Sequence, residues 1–508
     1  MSGYDVIVVG AGSAGCAIAA RASENPNLNV LLIEAGPDYS DIAKTPFDLV
    51  NGHNNSYTDH DWGLSHAPVE GRQTIFPRGR VVGGSSAVNT AIALRGMPED
   101  FEEWADLGLP DWTWDKVLPA YRRLERDLDY GDAAWHGDAG PISIRRYPRE
   151  EMRPQHLAFL EAARELGYPD CPDANDPASW GAGPQPMNKL GRLRVSCAVG
   201  YLAPARIRAN LTMRAQTFVV RVVAENGRAV GVEVIDANGR TEVLRSKLVV
   251  LSAGAILTPA ILIRSGLGPV RELTALGVPV IADVPGVGQN LSDHPAISAT
   301  YIPKDEALVD RDQPIIQTIL RYTAEGSDKR NDLQIEMISF GGRTREPIFA
   351  IAGVVEYQYG RGRLIFTSAD PEATPQIDNR FCEDDRDADR LARCFADVLA
   401  FGRSKPVAEL AHAQRFPRGE PSHEEIKGLV RRFAGSGYHP CGTAKMGLAS
   451  DPMAVVGQHG HCHALDGLVV ADASIMPFVP RANTNLTAIM IGEKIGEWLR
   501  VNPARYGL

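Results

Sequence analysis

The chain opens on an unbroken apolar run, Val6–Val9, stopped by Gly10. A run without in-out alternation predicts a strand covered on both faces, the habit of parallel sheets. An alanine-rich stretch from Ala14 to Ala22 predicts a helix, and a second apolar run, Val30–Ile33, predicts a neighbouring buried strand ending at Glu34. Further on, Arg221–Glu242 alternates about two turn signals, Glu225-Asn226-Gly227 and Ala237-Asn238-Gly239, the pattern of a small antiparallel meander. Lys247–Ser252 returns to the buried-strand pattern. From about residue 300 to 435 the character changes. Lys304–Asp332 is polar and charged and predicts a mobile cover, whereas Leu333–Phe340 and Phe349–Phe366 predict strands carrying Tyr357 and Tyr359. Asp384–Phe401 repeats at helical spacing and predicts a solvated amphipathic helix rather than a binding patch. Ile489, Met490, Ile495 and Trp498 predict a closing helix.

The first strand, turn and helix carry chemistry. Gly10, Gly12 and Gly15 form GxGxxG, with Ser13 and Ala14 inside it, and Glu34-Ala35 follows the second strand 24 residues after Gly10. Glycines let the backbone approach a pyrophosphate, whose charge sits on the helix N-terminus, and Glu34 can accept hydrogen bonds from ribose hydroxyls. An ADP-containing dinucleotide follows; this unit alone does not separate NAD from FAD. Composition changes the picture little. A chain of 508 residues predicts two domains or one large composite. A net charge of −10 argues against nucleic acid or an anionic membrane as partner, and no apolar run is long enough for a spanning helix. Seven scattered cysteines without a CxxC pair, and an N-terminus without signal-peptide character, predict reduced thiols in a cytoplasm.

Four further segments extend the pattern. Gly79-Arg80-Val81-Val82-Gly83-Gly84-Ser85-Ser86-Ala87-Val88-Asn89 runs on to Gly96 and Glu102; Gly254–Gly268 contains Thr258-Pro259 and Ser265-Gly266-Leu267-Gly268; Val284–Leu291 and Ala471–Ser474 follow. In this order they resemble the signatures of the glucose-methanol-choline (GMC) oxidoreductases over most of the chain, and among these the bacterial alcohol oxidases and choline-dehydrogenase-like members. The resemblance implies a mixed α/β fold. A Rossmann-like FAD-binding domain would draw on residues 1–155, 190–300 and 436–508. A discontinuous substrate domain built on an antiparallel sheet would draw on 156–189 and 301–435. It implies FAD without a covalent link, because Val88 stands where some members attach the flavin through histidine. Carried over by position, Arg80, Val82 and Gly83 belong to the cofactor site. Asn89, Thr90, Ala91 and Ile92 would run beside the isoalloxazine. Val219 would hold the adenine through its backbone, Asp472 and Ala473 would lie at the ribityl-pyrophosphate, and Tyr438, Thr484 and Asn485 would border the flavin.

Oxidation of an alcohol by hydride transfer needs a base for the hydroxyl proton, and imidazole suits that step. His439, in Tyr-His-Pro-Cys-Gly-Thr, matches the family's catalytic histidine, and Asn483 falls on its second active-site position. The amide would orient the substrate oxygen and stabilise the alkoxide, and Asn483 could also cap the closing helix. The reading is oxidation of a small primary alcohol to the aldehyde, with continuation to the acid through the hydrate left open, and electrons passing to O2, a quinone or another acceptor. Alternatives on the same fold are a hydroxynitrile lyase and a light-driven fatty-acid decarboxylase. His461-Cys462-His463 lacks a second ligand pair at zinc spacing, so these are turn residues and no metal is expected.

Overall fold

A computed structural model describes residues 3–341 and 346–508. Its first sheet is parallel, in the order Leu211–Arg214, Val30–Ile33, Tyr4–Val9, Thr241–Leu251, Leu468–Val470. The apolar runs seen in the sequence are its central strands: Val6, Ile7 and Val8 are fully buried, as are Val30, Leu31 and Leu32. Thr241–Leu251 serves two sheets. Its exposed first half pairs antiparallel with Arg228–Ile235, which in turn pairs with Phe218–Glu225. Its buried second half lies between Tyr4–Val9 and Leu468–Val470. The meander and the buried run read separately in the sequence are therefore one continuous strand, whose composition changes where it enters the core.

The helix Ser13–Ala22 crosses from the first strand to the second and packs on the closing helix Thr484–Val501. Glycine sets how closely these helices approach: a Cβ on Gly492 would stand 2.5 Å from the Ala14 carbonyl oxygen. Any side chain there would force the closing helix, and with it Asn483, away from the nucleotide turn.

The second sheet is antiparallel, in the order Ala411–Phe416, Pro295–Pro303, Phe349–Val355, Leu333–Ile338, Thr318–Tyr322, Gly181–Pro184. Strand periodicity divides its faces. Ile297, Ala299, Ile335, Met337 and Ile351 pack against Leu391, Cys394, Phe395 and Val398 of the helix Asp385–Arg403. Their neighbours Ala296, Ser298, Gln334, Glu336 and Ala352 face a large cavity on the other side. A one-residue slip would exchange the two sets, so burying the apolar face fixes which residues meet the cavity.

One expectation is corrected here. Lys304–Asp332 is not a mobile cover: Thr318–Tyr322 within it is a wholly buried strand, and Ile315 and Ile316 line the cavity. Exposure is concentrated in Lys304–Asp312 and Glu325–Asp328, which flank it. Arg321, which made the strand look polar, is 2% exposed. It donates to the carbonyls of Ala174 (2.9 Å) and Arg481 (2.7 Å). A buried guanidinium is tolerated when main-chain oxygens take its protons.

Beside the parallel domain lies a sealed charge network. His136 is fully buried, its Nδ1 2.8 Å from Glu125 Oε1 and its Nε2 3.0 Å from Asp173 Oδ2. Arg95 pairs with Glu125, and Arg146 with Asp127 and Asp173. Carboxylate oxygens accept at both ring nitrogens, so His136 is an imidazolium, and with two arginines it balances Glu125, Asp127 and Asp173. Glu125, Asp127 and His136 form a group with metal-ligand spacing among the described residues. The two guanidiniums already supply the positive charge a cation would bring.

Burial pushes the His136 pKa down, but the hydrogen bonds to Asp173 and Glu125 outweigh it and hold the pKa above the ordinary 6.5. A raised folded-state pKa gives stability that is fully present below about 6.5 and is lost as pH rises through the folded value. Thermal unfolding midpoints should fall over that alkaline window in the native protein. In His136→Ala they should be low throughout and lose that dependence, because an unbalanced buried carboxylate costs about 3–5 kcal/mol. Parallel pH profiles for the two proteins would refute the imidazolium assignment.

Candidate active site

A cavity of about 1460 Å³ runs from the glycine turn to the inner face of the antiparallel sheet. Its first end is built from backbone. Gly10 has φ +95°, and a Cβ on Gly15 would stand 1.9 Å from the Gly10 carbonyl oxygen, so the turn folds tightly onto the helix start. Gly12 faces open space, with nothing within 4 Å of where a Cβ would lie, directly before the first helical N–H groups. That is a seat for a diphosphate. Glu34 stands beside it, accepting from the N–H groups of Ala11 (3.0 Å) and Gly36 (2.8 Å). Burial pushes its pKa up to about 7 against those two bonds. Each oxygen keeps a second lone pair for a ligand hydroxyl. Asp472 accepts from Gly254 N–H (2.8 Å), the Thr258 hydroxyl (2.6 Å) and Ser474 N–H (2.7 Å), fastening the start of the helix Gly254–Arg264 to the end of the last parallel strand. Ser13 Oγ donates to Asn485 Oδ1 at 2.7 Å, which ties the nucleotide turn to the closing helix.

At the second end Asn483 and His439 meet. Asn483 stands at the N-terminus of Thr484–Val501 but makes no side-chain cap bond. Its Nδ2 lies 2.9 Å from His439 Nε2. On the other side of that ring, His439 Nδ1 lies 2.8 Å from His294 Nδ1. His294 Nε2 lies 3.1 Å from the Pro480 carbonyl oxygen. A carbonyl only accepts, so His294 carries its proton on Nε2 and offers a lone pair at Nδ1. His439 therefore carries its proton on Nδ1, leaving an unprotonated Nε2 beside the Asn483 amide. Burial, then His294 and Arg78, hold the His439 pKa well below 6.5, so the ring is neutral at neutral pH.

Asp293 holds both histidines by their backbone. Its Oδ1 accepts from the N–H of His294 (2.7 Å) and of His439 (2.8 Å), and its Oδ2 from the Ser436 hydroxyl (2.5 Å). Tyr438, between these anchors, adopts φ +66°. A non-glycine residue in the left-handed region is strained by about 1–3 kcal/mol, which the surrounding bonds must hold in place. Tyr438 N–H donates to Ser436 Oγ (2.7 Å) and its carbonyl accepts from Arg78 (2.9 Å).

Comparison with known proteins decides the family. The description "GMC oxidoreductase" matches residues 4–296 with its N-terminal part and 358–492 with its C-terminal part. The chain is a GMC oxidoreductase. It is 33% identical to a 5-(hydroxymethyl)furfural oxidase of Methylovorus sp. over 97% of the chain and 98% of that protein. It is 34% identical to an oxygen-dependent choline dehydrogenase of Sinorhizobium medicae over 97% and 95%. The crystal structure of pyridoxine 4-oxidase from Mesorbium loti superposes with a TM-score of 0.89 at 29% identity, covering 97% of this chain and 98% of that one.

The GMC oxidoreductase binds FAD, and its cavity fits that group. Besides the glycine seat, Asn485 Nδ2 and Asn483 Oδ1 are buried without protein partners among the described residues, and both asparagines line the cavity. Gly10, Gly12, Ser13, Ala14, Glu34, Ala35, Arg80, Asn89, Thr90, Ile92, Val219, Tyr438, His439, Asp472, Ala473, Asn483, Thr484 and Asn485 all line it. Gly15, Val82, Gly83 and Ala91 lie behind the wall and shape it. Val82 sits in the hydrophobic core, Gly83 N–H donates to the Ala11 carbonyl, and Ala91 turns the chain with φ +61°. At Val219 the antiparallel ladder slips its register before Arg221, giving that backbone a bulge beside the cavity. Sequence reasoning missed Asp293, His294, Glu336 and Glu356. Asp293-His294 lies one residue beyond the run quoted up to Leu291 and could have been found there; the two glutamates carry no local signal. The histidines of His461-Cys462-His463 are engaged elsewhere, His461 stacked on Tyr506 and His463 bonded to the Gly447 carbonyl.

Val88, in a buried cluster with Leu49, Val81 and Ala87, has no atom that can bond to a flavin. Acid precipitation of the purified protein should leave the yellow chromophore in the supernatant as unmodified FAD by mass. Colour that stays with the pellet would contradict this.

Proposed function

We propose that this GMC oxidoreductase oxidises a small primary alcohol to the aldehyde, with His439 as general base and Asn483 as the residue that holds the substrate oxygen. One observation carries the reading: residues 44 positions apart present a basic imidazole nitrogen and an amide donor, 2.9 Å from each other, to one point of the cavity wall. FAD supplies the two-electron acceptor when bound. His439 Nε2 takes the hydroxyl proton, and general bases of this kind contribute roughly 10²–10⁴-fold. The Asn483 amide has two N–H donors. One covers the single Nε2 lone pair of His439 until the substrate hydroxyl takes its place, and the amide then donates to the oxygen on which negative charge develops.

The substrate end of the cavity has apolar walls, with Ile92, Ile315, Ile316, Ile338 and Val354 among them. Into it points Glu336, whose Oε1 accepts from Gln334 at 2.6 Å and whose pKa burial pushes up to about 7. Those groups support an alcohol with an apolar ring or chain and a hydrogen-bond donor for Glu336. The relatives named for 5-(hydroxymethyl)furfural, choline and pyridoxine are all named for alcohols, which supports the same class.

The test is anaerobic addition of an alcohol panel to the yellow protein, followed by air or a quinone. Bleaching by alcohol supports oxidation, and a flavin that stays oxidised while product forms would point to lyase chemistry. Peroxide formed in air marks O2 as the acceptor, and recovery of colour with quinone alone marks a dehydrogenase. His439→Ala should keep FAD and bleach at least ~100-fold more slowly. An unchanged rate would remove His439 from the reaction. Asn483→Ala should slow bleaching more than it weakens FAD retention; the reverse order would make it a structural residue.

A further inference from the structure

Behind the base lies a carboxylate that the reaction as described does not use. Glu356 follows the strand Phe349–Val355 and is fully buried. Neither of its oxygens has a hydrogen-bond partner among the described residues. Its Oε2 lies 3.6 Å from His294 Nδ1, the same nitrogen that lies 2.8 Å from His439 Nδ1. The three groups thus form a file from the substrate face of His439 into the interior, with His294 in the middle.

An unbonded carboxylate in the interior is costly as an anion, and the cost falls once it takes up a proton. Arg321, whose charge acts on it, makes no hydrogen bond to it: its Nη1 and Nη2 donate to the Ala174 and Arg481 carbonyls. Burial comes first among the forces on Glu356 and pushes its pKa up to about 8; Arg321 opposes this, while Glu336, Asp100 and Asp293 push the same way. At the other end of the file, burial above all, then His294 and Arg78, disfavours a lasting positive charge on His439. A proton taken up by the base is therefore poorly held where it first arrives and better held at Glu356.

We infer that Glu356 is the terminal acceptor of the substrate proton, reached from His439 through His294. The inference rests on His439 acting as the base. The substrate O–H bond breaks as an N–H bond forms at His439 Nε2. The proton on His439 Nδ1 moves to His294 Nδ1, and a proton moves from that nitrogen to Glu356 Oε2. His294 ends as it began, His439 ends in its other neutral tautomer, and Glu356 ends as the neutral acid. The file moves protons only and neither takes nor supplies electrons. Glu356 and His294 act through His439 and are positioning and proton-holding residues.

The consequence has a definite sign. When Glu356 already holds a proton, the substrate proton must stay on the histidine pair as an uncompensated buried cation, so abstraction is slow. Anaerobic bleaching of the FAD-loaded enzyme should therefore quicken as Glu356 ionises, by up to about tenfold per pH unit, and level off above that. Four proteins compared from about pH 6 to about pH 10 test this. Glu356→Gln should lose the rise and bleach at least ~10-fold more slowly at the alkaline end. His294→Asn keeps an oxygen to accept from His439 Nδ1 but cannot relay, and should also lose the rise with Glu356 untouched. Glu336→Gln removes the neighbouring carboxylate that titrates nearby and should keep the rise, whatever it does to KM. Infrared difference spectra give a second readout. Alcohol added anaerobically at alkaline pH should produce the C=O stretch of a newly protonated carboxylic acid, absent from Glu356→Gln. A rise and a carboxylic acid signal that persist in Glu356→Gln, or a rise that disappears in Glu336→Gln instead, would overturn the inference. Slow bleaching in His439→Ala beside native behaviour in Glu356→Gln and His294→Asn would sink it while leaving the base in place.

Discussion

The geometry of the candidate active site depends on one buried carboxylate, Asp293. Asp293 receives the main-chain N–H of His294 and, 145 residues further on, that of His439, together with the Ser436 hydroxyl. Burial raises its pKa to about 6 against the pull of those donors and of Arg78. Without it the strained backbone at Tyr438 would relax, and a ring that must meet Asn483 and His294 on its two sides would lose its aim. Misplacement by an ångström is enough to cost a large part of such a reaction.

Two glycine contacts and one strand translate that local order into the whole molecule. The strand Thr241–Leu251 joins the meander to the parallel sheet, and Leu468–Val470 pairs with its buried half, so the chain returns to the parallel sheet just before Asp472. The closing helix then lies on Ser13–Ala22 at the distance that Gly492 and Gly496 permit. Asn483 stands at the first turn of that helix, so the separation between the diphosphate seat and the amide is set by helix packing. Packing at backbone contact is stiff, which suits the donor role proposed for Asn483.

The antiparallel sheet makes the substrate end specific by a simpler device. Its outward face is paid out in apolar contacts to Asp385–Arg403, with Gly353 so close to that helix that Cys394 Sγ would stand 2.7 Å from an added Cβ. What remains on the other face is by register the set that meets the cavity. Most of it is small or aliphatic, and Gln334 and Glu336 supply the polar exceptions.

The sequence by itself determined the nucleotide half. An apolar run, a glycine turn and a helix start are neighbours in the chain, and their chemistry is backbone chemistry, so order and spacing suffice. It also singled out His439 and Asn483, because each stands inside a long family pattern. It misjudged Lys304–Asp332, since the polarity of its ends and of Arg321 hid a buried strand whose guanidinium donates to carbonyls distant in the chain. The partners that give His439 its tautomer, and the file that ends at Glu356, were decided by tertiary structure alone. They come from the strand ends near 294 and 356 and from the carbonyl at 480, which no local spacing relates. The state of a buried proton depends on every acceptor and charge the fold brings within reach.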